Sequence, residues 1–209
     1  MNAGRYLGAA VAVAVIFPGV ALPQDSGRTN LEALGQALRA GVVWRADYRQ
    51  EYVAEGMSEG EKLAGVVWVA WPDRALFRSG EPVTRQMGLE GRRVRLLDLE
   101  VPSCDEHLLN DEEWARVPLA AVLDPAGATD HFTVLGSGER GFVLVPRQPG
   151  GVDRVEVVLG KKNLPREVVV IDPQGATNRL YFTDWRTTDA PPEGRWLPEA
   201  PPDLECVGD

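Results

Sequence analysis

The side chains best suited to metal binding or catalysis stand together at positions 104–107, where a cysteine, two carboxylates and a histidine follow one another. Cys104 and His107 have a spacing that zinc ligands can use, and structural zinc sites take four thiolate or imidazole ligands. The sequence offers no second Cys/His pair to complete such a set. A metal site is therefore the weaker interpretation of this segment, and we predict no metal.

The two histidines, His107 and His131, are the remaining candidates for acid–base chemistry. Neither accompanies a nucleophile elbow or a zinc signature, and a neighbouring pair such as Asp130 and His131 is typical of a surface loop. The glycine-rich segment 136–140 is not followed by the helix with Lys-Ser/Thr that a phosphate-binding loop requires. We therefore predict a protein that is not an enzyme and that uses no cofactor.

The two cysteines, Cys104 and Cys206, are far apart in the sequence. Thiols of exported proteins tend to oxidise, so a structural disulfide is the better interpretation if this chain is exported. A bond that closes a loop of ~100 residues contributes on the order of 4–5 kcal/mol by chain-entropy reasoning. It would tie the C-terminal tail to the middle of the fold.

Residues 1–21 have the three-part layout of a secretory signal peptide. Arg5 supplies the positive charge, an apolar run follows at 7–17, and small residues precede a cleavage site predicted after Ala21, with Gln24 as the alternative. A membrane anchor needs about 20 uninterrupted apolar residues, and Pro18 interrupts this run. We therefore predict an exported, soluble periplasmic protein that is not lipid-anchored at its own N-terminus.

The mature chain, residues 22–209, is long enough for one domain with a full core. Without Arg5 it carries 21 basic against 31 acidic residues, a net charge of −10. Proteins that bind nucleic acid need an excess of Lys and Arg to replace the phosphate counterions. The charge therefore argues against a nucleic-acid partner, and we predict a single domain with a proline-rich tail at 190–209.

The segment 65–71 reads as a strand that is apolar on both faces. Val67, Val69 and Trp71 point one way, whereas Val66, Trp68 and Ala70 point the other. An antiparallel strand with one wet face would alternate apolar and polar residues instead. Either this strand lies inside a two-layer core, or one face lines a cavity that holds something apolar.

Further elements surround this strand. Thr29 or Asn30 can cap a helix that runs through Leu31, Leu34 and Leu38 to Gly41. Clean alternation at 43–53 predicts a half-buried strand, and Gly91 can form the turn of a hairpin. The other predicted strands cover residues 75–78, 84–89, 92–99, 132–135, 141–145, 152–159, 166–171 and 178–185.

The segment 101–124 changes character. Asn110 can cap a helix, with Glu113 in capping-box spacing, and an apolar stripe through Trp114 and Ala120 is interrupted at Pro118. We expect two short helices that either pack on the sheet as core or form a mobile cover. The tail should wrap along the surface in extended form, fastened by Trp196, Leu197 and Cys206.

About nine or ten strands in consecutive hairpins must curl or close, because too few helices exist to cover both faces of an open sheet. The predicted fold class is mainly β (α+β). It consists of a strongly curved antiparallel sheet, or half-open barrel, with an N-terminal helix and a short helical lid.

Six short motifs occur in order along the mature chain. They are Ala46-Asp47-Tyr48-Arg49-Gln50, then Gly65, Trp68 and Val69 before Pro72, then Gly91, then Val117-Pro118-Leu119 with Leu123, then the strand 142–146 ending in Pro146, and Trp196-Leu197-Pro198 with Pro201. This ordered set resembles the LolA-type periplasmic lipoprotein carriers and their LolB/LppX-like relatives.

The resemblance implies a carrier that holds the acyl chains of lipoproteins, or other lipids, during passage to the outer membrane. It implies an inner-membrane donor complex and an outer-membrane acceptor as partners, and a monomer. In this family an arginine just before the strand proline is a latch for the lid. Trp71 occupies that place here, with Arg74 or Arg78 as possible substitutes, and Ala75 stands where an aromatic residue is common.

We expect the cavity wall to include residues from both faces of the central strand, and the lid to come from the helical insertion. The alternative function is a structural or protein-interaction module with a filled core. The wall candidates are Trp44, Tyr48, Val67, Trp68, Val69, Phe77 and Leu96, and the lid candidates are Val117, Leu119 and Leu123.

Overall fold

The computed structural model describes residues 23–41, 43–115 and 117–208, and its centre is one large sheet. The signal peptide predicted at residues 1–21 lies outside these residues. Within the described ranges there are four α-helices, α1 (Pro23–Ala40), α2 (Asp111–Ala115), α3 (Pro118–Leu123) and α4 (Pro125–His131), and two short 3-10 helices at Lys161–Asn163 and Pro192–Gly194. No helix of the described part is both long and apolar enough to cross a membrane.

Twelve strands form the sheet in the described part of the chain. They are β1 (Val43–Val53), β2 (Glu61–Ala70), β3 (Arg74–Ser79), β4 (Arg85–Glu90), β5 (Arg93–Asp98), β6 (Ser103–Leu108), β7 (Phe132–Gly136), β8 (Gly141–Pro146), β9 (Arg154–Leu159), β10 (Pro165–Ile171), β11 (Thr177–Thr188) and β12 (Val207–Gly208). The order across the sheet is β12-β6-β5-β4-β3-β2-β1-β11-β10-β9-β8-β7.

The sheet is curved and does not close, and its two edge strands are β12 and β7. Neighbouring strands are antiparallel except for β12, which pairs parallel to β6 with Val207 opposite Asp105. β1 pairs with both β2 and β11 and so joins the two halves of the sheet. The predicted fold class, a curved antiparallel sheet with an N-terminal helix and short helices, is confirmed.

The main core lies on the concave face, where the alternation of each strand directs its apolar residues. Trp44, Ala46 and Tyr48 of β1 are buried there, together with the stripe Leu31, Leu34 and Leu38 of α1. Apolar residues at helical spacing thus bury one side of α1 against the sheet, as the sequence predicts.

The start of α1 differs from the prediction. The helix begins at Pro23 and not after Thr29 or Asn30. The Asn30 side chain donates hydrogen bonds to the carbonyl oxygens of Glu139 and Gly141, at 3.3 and 3.1 Å. Asn30 therefore fastens α1 to the β7–β8 hairpin instead of capping the helix.

The segment 101–124 contains a strand that the sequence did not predict. β6 pairs with β5 along its whole length, and Arg95 of β5 forms an ion pair with Glu106 of β6. Polar residues are tolerated in β6 because it lies near the edge of the sheet, so the apolar alternation that identifies inner strands is missing. The helix α4 was also not predicted.

The rest of that segment confirms the prediction. The Asn110 side-chain oxygen accepts hydrogen bonds from the backbone N–H groups of Glu112 and Glu113, both at 2.9 Å. The Glu113 carboxylate accepts in return from the Asn110 N–H at 2.8 Å. This capping box begins α2, and Pro118 begins the second short helix.

The tail crosses the convex face of the sheet. Trp196 is buried there with Val43, Ala70 and Leu76, and Trp68 packs against this second cluster. A disulfide bond joins Cys104 to Cys206, as predicted. Since Cys104 is bonded to sulfur, the metal interpretation of residues 104–107 is wrong.

Candidate functional site

A cavity of about 630 Å³ lies on the concave face, between the sheet and α3. This volume falls within the range of roughly 300–1,000 Å³ that is typical of small-molecule sites. Strands β1–β6, β10 and β11 form its walls, and Leu38 of α1 also contributes. Strands β1–β6 from the first part of the chain and strands β10 and β11 from the last part thus enclose one cavity.

Two rows of apolar residues run across the strands of the wall. Each row consists of residues that are paired with one another on neighbouring strands. Phe77, Met87 and Leu96 stand opposite one another on β3, β4 and β5. The next row along the same strands continues from Val69 of β2 through Ala75 to Leu89 and Val94. Such rows give a smooth apolar surface without hydrogen-bonding groups.

A polar row lies directly beside these apolar rows. It consists of Ser79, Arg85, Asp98 and Ser103, which follow one another in register across β3, β4, β5 and β6. All four residues line the cavity, as does His107 of β6. The wall is therefore amphipathic. Its side chains change from apolar to polar between residues that are two positions apart along the same strand, such as Phe77 and Ser79.

Arg85 is the centre of this polar row. Its guanidinium contacts the carboxylate of Glu61, and it forms ion pairs with Asp98 at 3.0 Å and Glu100 at 3.3 Å. The hydrogen bond with Glu61 raises the pKa of Arg85 above its ordinary value. Hydrogen bonds from the Val101 and Glu100 backbone N–H groups, together with Arg85, lower the pKa of Asp98.

Tyr48 brings a hydroxyl group into the apolar part of the wall. Its ring packs edge-on against Phe77, with ring centres 5.3 Å apart. Burial raises the pKa of Tyr48 above 10.0, and a hydrogen bond with Ser79 acts in the opposite direction. Tyr48 is therefore uncharged at neutral pH and connects the apolar rows to the polar row.

The opposite wall comes from β10 and β11. Val168 lies opposite Leu180, and Phe182 lies opposite Tyr48 across the strand junction. The Gln50 side chain donates a hydrogen bond to the Asn178 side chain at 2.9 Å. Sequence reasoning missed these wall residues, although the alternation of Leu180 and Phe182 was visible, because only the pairing of β11 with β1 brings them to the cavity.

The helix α3 covers part of the hollow. Val117, Leu119 and Leu123, the predicted lid residues, all line the cavity. Leu123 is buried, whereas Val117 and Leu119 are half-buried. The preceding helix α2 is held to the β4–β5 turn by Arg92, which pairs with Asp111 at 2.9 Å and stacks 4.8 Å from the centre of the Trp114 ring.

The predicted wall residues fall into three groups. Tyr48, Val69, Phe77 and Leu96 line the cavity. Trp44 and Val67 are buried on the same face, where the Trp44 indole N–H donates to the Ala37 carbonyl at 3.2 Å. Trp68 lies on the convex face, because the alternation of β2 sends it away from Val67 and Val69.

The two predicted latch residues lie at the β2–β3 turn, and their contacts are elsewhere in the fold. The Arg39 guanidinium of α1 lies 4.8 Å from the centre of the Trp71 ring. Arg74 lies 5.4 Å from the centre of the Trp196 ring in the tail. These contacts hold the turn to α1 and to the tail.

Asp130 and His131, the neighbouring acid–base pair, line a separate cleft of about 370 Å³ with Asp111 and Arg147. Among the described residues, no group of three or more His, Cys, Asp or Glu side chains is arranged to hold a metal ion. The cavity under α3, with its apolar rows and its polar row, is therefore the candidate functional site of the described residues.

The family model described as "Outer membrane lipoprotein carrier protein LolA" matches residues 43–195. No curated protein sequence matches this chain significantly.

Solved structures are similar to the fold at low sequence identity. An uncharacterized conserved protein from Thermus thermophilus is 14% identical, with a TM-score of 0.51, over 88% of this chain and 99% of that chain. A LolA superfamily protein from Nitrosomonas europaea is 10% identical, with a TM-score of 0.43, over 80% and 96%. The Pseudomonas aeruginosa MucA/MucB complex gives 16% identity and a TM-score of 0.46 over 84% of this chain, which spans 61% of the chain it matches.

Proposed function

Because this chain belongs to the LolA family of outer membrane lipoprotein carrier proteins, we propose that it is a periplasmic carrier that holds acyl chains of lipoproteins or other lipids in its cavity. In this proposal the protein works as a monomer. It takes cargo from an inner-membrane donor complex and gives it to an acceptor at the outer membrane. The observation that carries the proposal is the unfilled hollow of about 630 Å³ with its apolar rows.

The energetics of this role follow from the burial of hydrocarbon. Each methylene group transferred from water to an apolar surface contributes about 0.8 kcal/mol. A protein with a dry groove can therefore compete with a bilayer for an acyl chain, and the half-buried side chains of Val117, just before α3, and of Leu119 in α3 extend that groove over the guest. Release of the bound acyl chain requires that α3, which covers part of the cavity, be held only loosely to the sheet.

The alternative role, a protein-interaction module, expects an interior filled by the protein's own side chains. The cavity counts against that expectation, because an unfilled apolar space costs stability and is retained where a ligand uses it.

The cavity wall can be tested with one apolar-to-charged substitution and a matched control. Leu96 lines the cavity and is 41% exposed, whereas Leu108 is 67% exposed and lies at the end of β6, outside the lining. We expect Leu96→Glu to weaken binding of an uncharged pyrene-labelled acyl ester by about tenfold or more, because a carboxylate would face the hydrocarbon. Leu108→Glu should bind it like the unmodified protein, as measured by fluorescence titration.

Native mass spectrometry of the protein purified from a bacterial periplasm supplies the second readout. We expect co-purified lipid on the unmodified protein and on Leu108→Glu, and less on Leu96→Glu. Absence of lipid on all three, together with no uptake of the ester, would overturn the carrier proposal in favour of the interaction module.

A further inference from the structure

We infer that the cavity takes an amphiphile with an uncharged or cationic head group, and that it disfavours a free fatty-acid carboxylate. This inference rests on the proposed function and names the class of cargo. Two features carry it, namely the register of the apolar and polar rows and the carboxylates that surround Arg85.

The register of the wall fixes the direction of the chain. The rows through Phe77 and Leu89 offer only apolar groups, whereas the row through Ser79, Arg85 and Asp98 offers hydrogen-bonding groups. A chain that lies on the apolar rows brings its head group to the polar row. Any other orientation would leave the head group against hydrocarbon without partners.

The charge of the polar row selects the head group. An arginine without partners would attract a carboxylate, but Arg85 already contacts three carboxylates, those of Glu61, Asp98 and Glu100. These four groups, one positive and three negative, carry a net charge of −2; Asp98 lies in the polar row, and Glu61 and Glu100 contact Arg85 from outside the cavity lining. A fatty-acid carboxylate would meet like charges here, whereas a glycerol hydroxyl or an ammonium group would not.

The experiment compares ligands that share one palmitoyl or hexadecyl chain and differ in the head group. Palmitate, monopalmitoylglycerol and hexadecyltrimethylammonium compete for the cavity with the pyrene-labelled ester, below their micelle-forming concentrations. We expect monopalmitoylglycerol and the ammonium ligand to bind about tenfold or more tightly than palmitate at low salt. Added salt should reduce this difference, because it screens the exposed carboxylates.

A double substitution tests whether the carboxylates around Arg85 disfavour a fatty-acid head group. Glu61→Gln with Glu100→Gln removes two carboxylates whose side chains are each 55% exposed and leaves the Arg85–Asp98 pair. We expect this variant to bind palmitate several-fold more tightly, with little change for monopalmitoylglycerol. Asp130→Asn with Glu139→Gln removes two exposed charges beside β7, at the edge of the sheet opposite β6, and should leave the preference unchanged.

Equal or tighter binding of palmitate than of monopalmitoylglycerol would overturn this inference while leaving the carrier proposal in place. If none of the ligands displaces the ester because the ester itself does not bind, the carrier proposal fails instead.

Discussion

Tyr48 couples the stability of the protein to alkaline pH. Burial raises its pKa in the folded state above the ordinary 10.0, so the folded protein keeps this proton when the unfolded chain loses it. The stability from Tyr48 is therefore complete below about pH 10 and is lost as the pH rises through the folded pKa. We expect Tyr48→Phe to lose less stability between about pH 9 and 11 than the unmodified protein, as measured by urea unfolding.

Equal slopes for Tyr48→Phe and the unmodified protein would show that burial of the Tyr48 hydroxyl has no energetic consequence.

Gly88 is required where the tail crosses β4. A Cβ atom at this position would lie 2.4 Å from the Trp196 carbonyl oxygen and 2.5 Å from Cδ of Pro198. We expect Gly88→Ala to destabilise the protein by about 1–3 kcal/mol, because the tail must move away from the sheet. Chemical denaturation measures this change.

The matched substitution is Gly151→Ala, where an added Cβ meets no atom within 4 Å. It should change stability by only a few tenths of a kcal/mol. A similar effect of the two substitutions would mean that the tail does not press on β4.

At the residue scale, the sequence predicted which face of a strand a residue takes but not what that face meets. The alternation of β2 separated Val67 and Val69 from Trp68 correctly. The sequence left open which set faces the hollow, because both sets are apolar. The reason is now visible: the tail covers the convex face, so the half-buried Trp68 packs against the cluster that contains Trp196 and does not face a guest.

At the scale of the elements, the inner strands β1–β5 and β8–β11 and the edge strand β7 were predictable from the sequence, whereas β6 and β12 at the other edge were not. Periodicity identified β1, the β4–β5 hairpin and β8–β11, because each has a regular apolar face. β6 carries Asp105, Glu106 and His107 and is a strand only because β5 and β12 pair with it. The polar row of the cavity depends on such pairing, and for that reason no local motif predicted it.

The disulfide holds the tail to β6 and should contribute measurably to stability. The sequence separation of Cys104 and Cys206 is 102 residues, for which chain-entropy reasoning gives at most about 4–5 kcal/mol. We expect Cys104→Ala with Cys206→Ala to lower the free energy of unfolding by a few kcal/mol, as measured by urea unfolding. Binding of the pyrene-labelled ester should persist in conditions where this variant is folded, because the bond lies on the convex side.

Treatment of the unmodified protein with a reductant should reproduce the loss of stability and have no further effect on the double variant. A variant as stable as the unmodified protein would show that Trp196 and the buried Pro198 hold the tail without the bond.

At the scale of the whole molecule, stability is distributed unevenly between the sheet and the helices α2 and α3, which form the cover of the cavity. The central strands β1, β2 and β11 each pair with a neighbour on both sides. The helices α2 and α3 are short, and α2 is joined to the sheet through the ion pair of Arg92 with Asp111 and through the half-buried Trp114, which contacts Arg92 and packs against the main core. A carrier benefits from this difference, because the cover can open while the walls persist.

Hydrogen exchange measured by mass spectrometry tests this division. We expect the amides of α2 and α3 to exchange orders of magnitude faster than those of β1 and β11, and to slow when monopalmitoylglycerol is bound, because the guest packs under Leu119 and Leu123. Arg92→Ala should speed exchange in α2 further by removing its ion pair and ring contact, whereas Arg93→Ala, which pairs with Glu106 on β6, should not. Exchange in α3 as slow as in β1, with no response to ligand, would make the helix a fixed part of the core, and entry of a guest would then need another route.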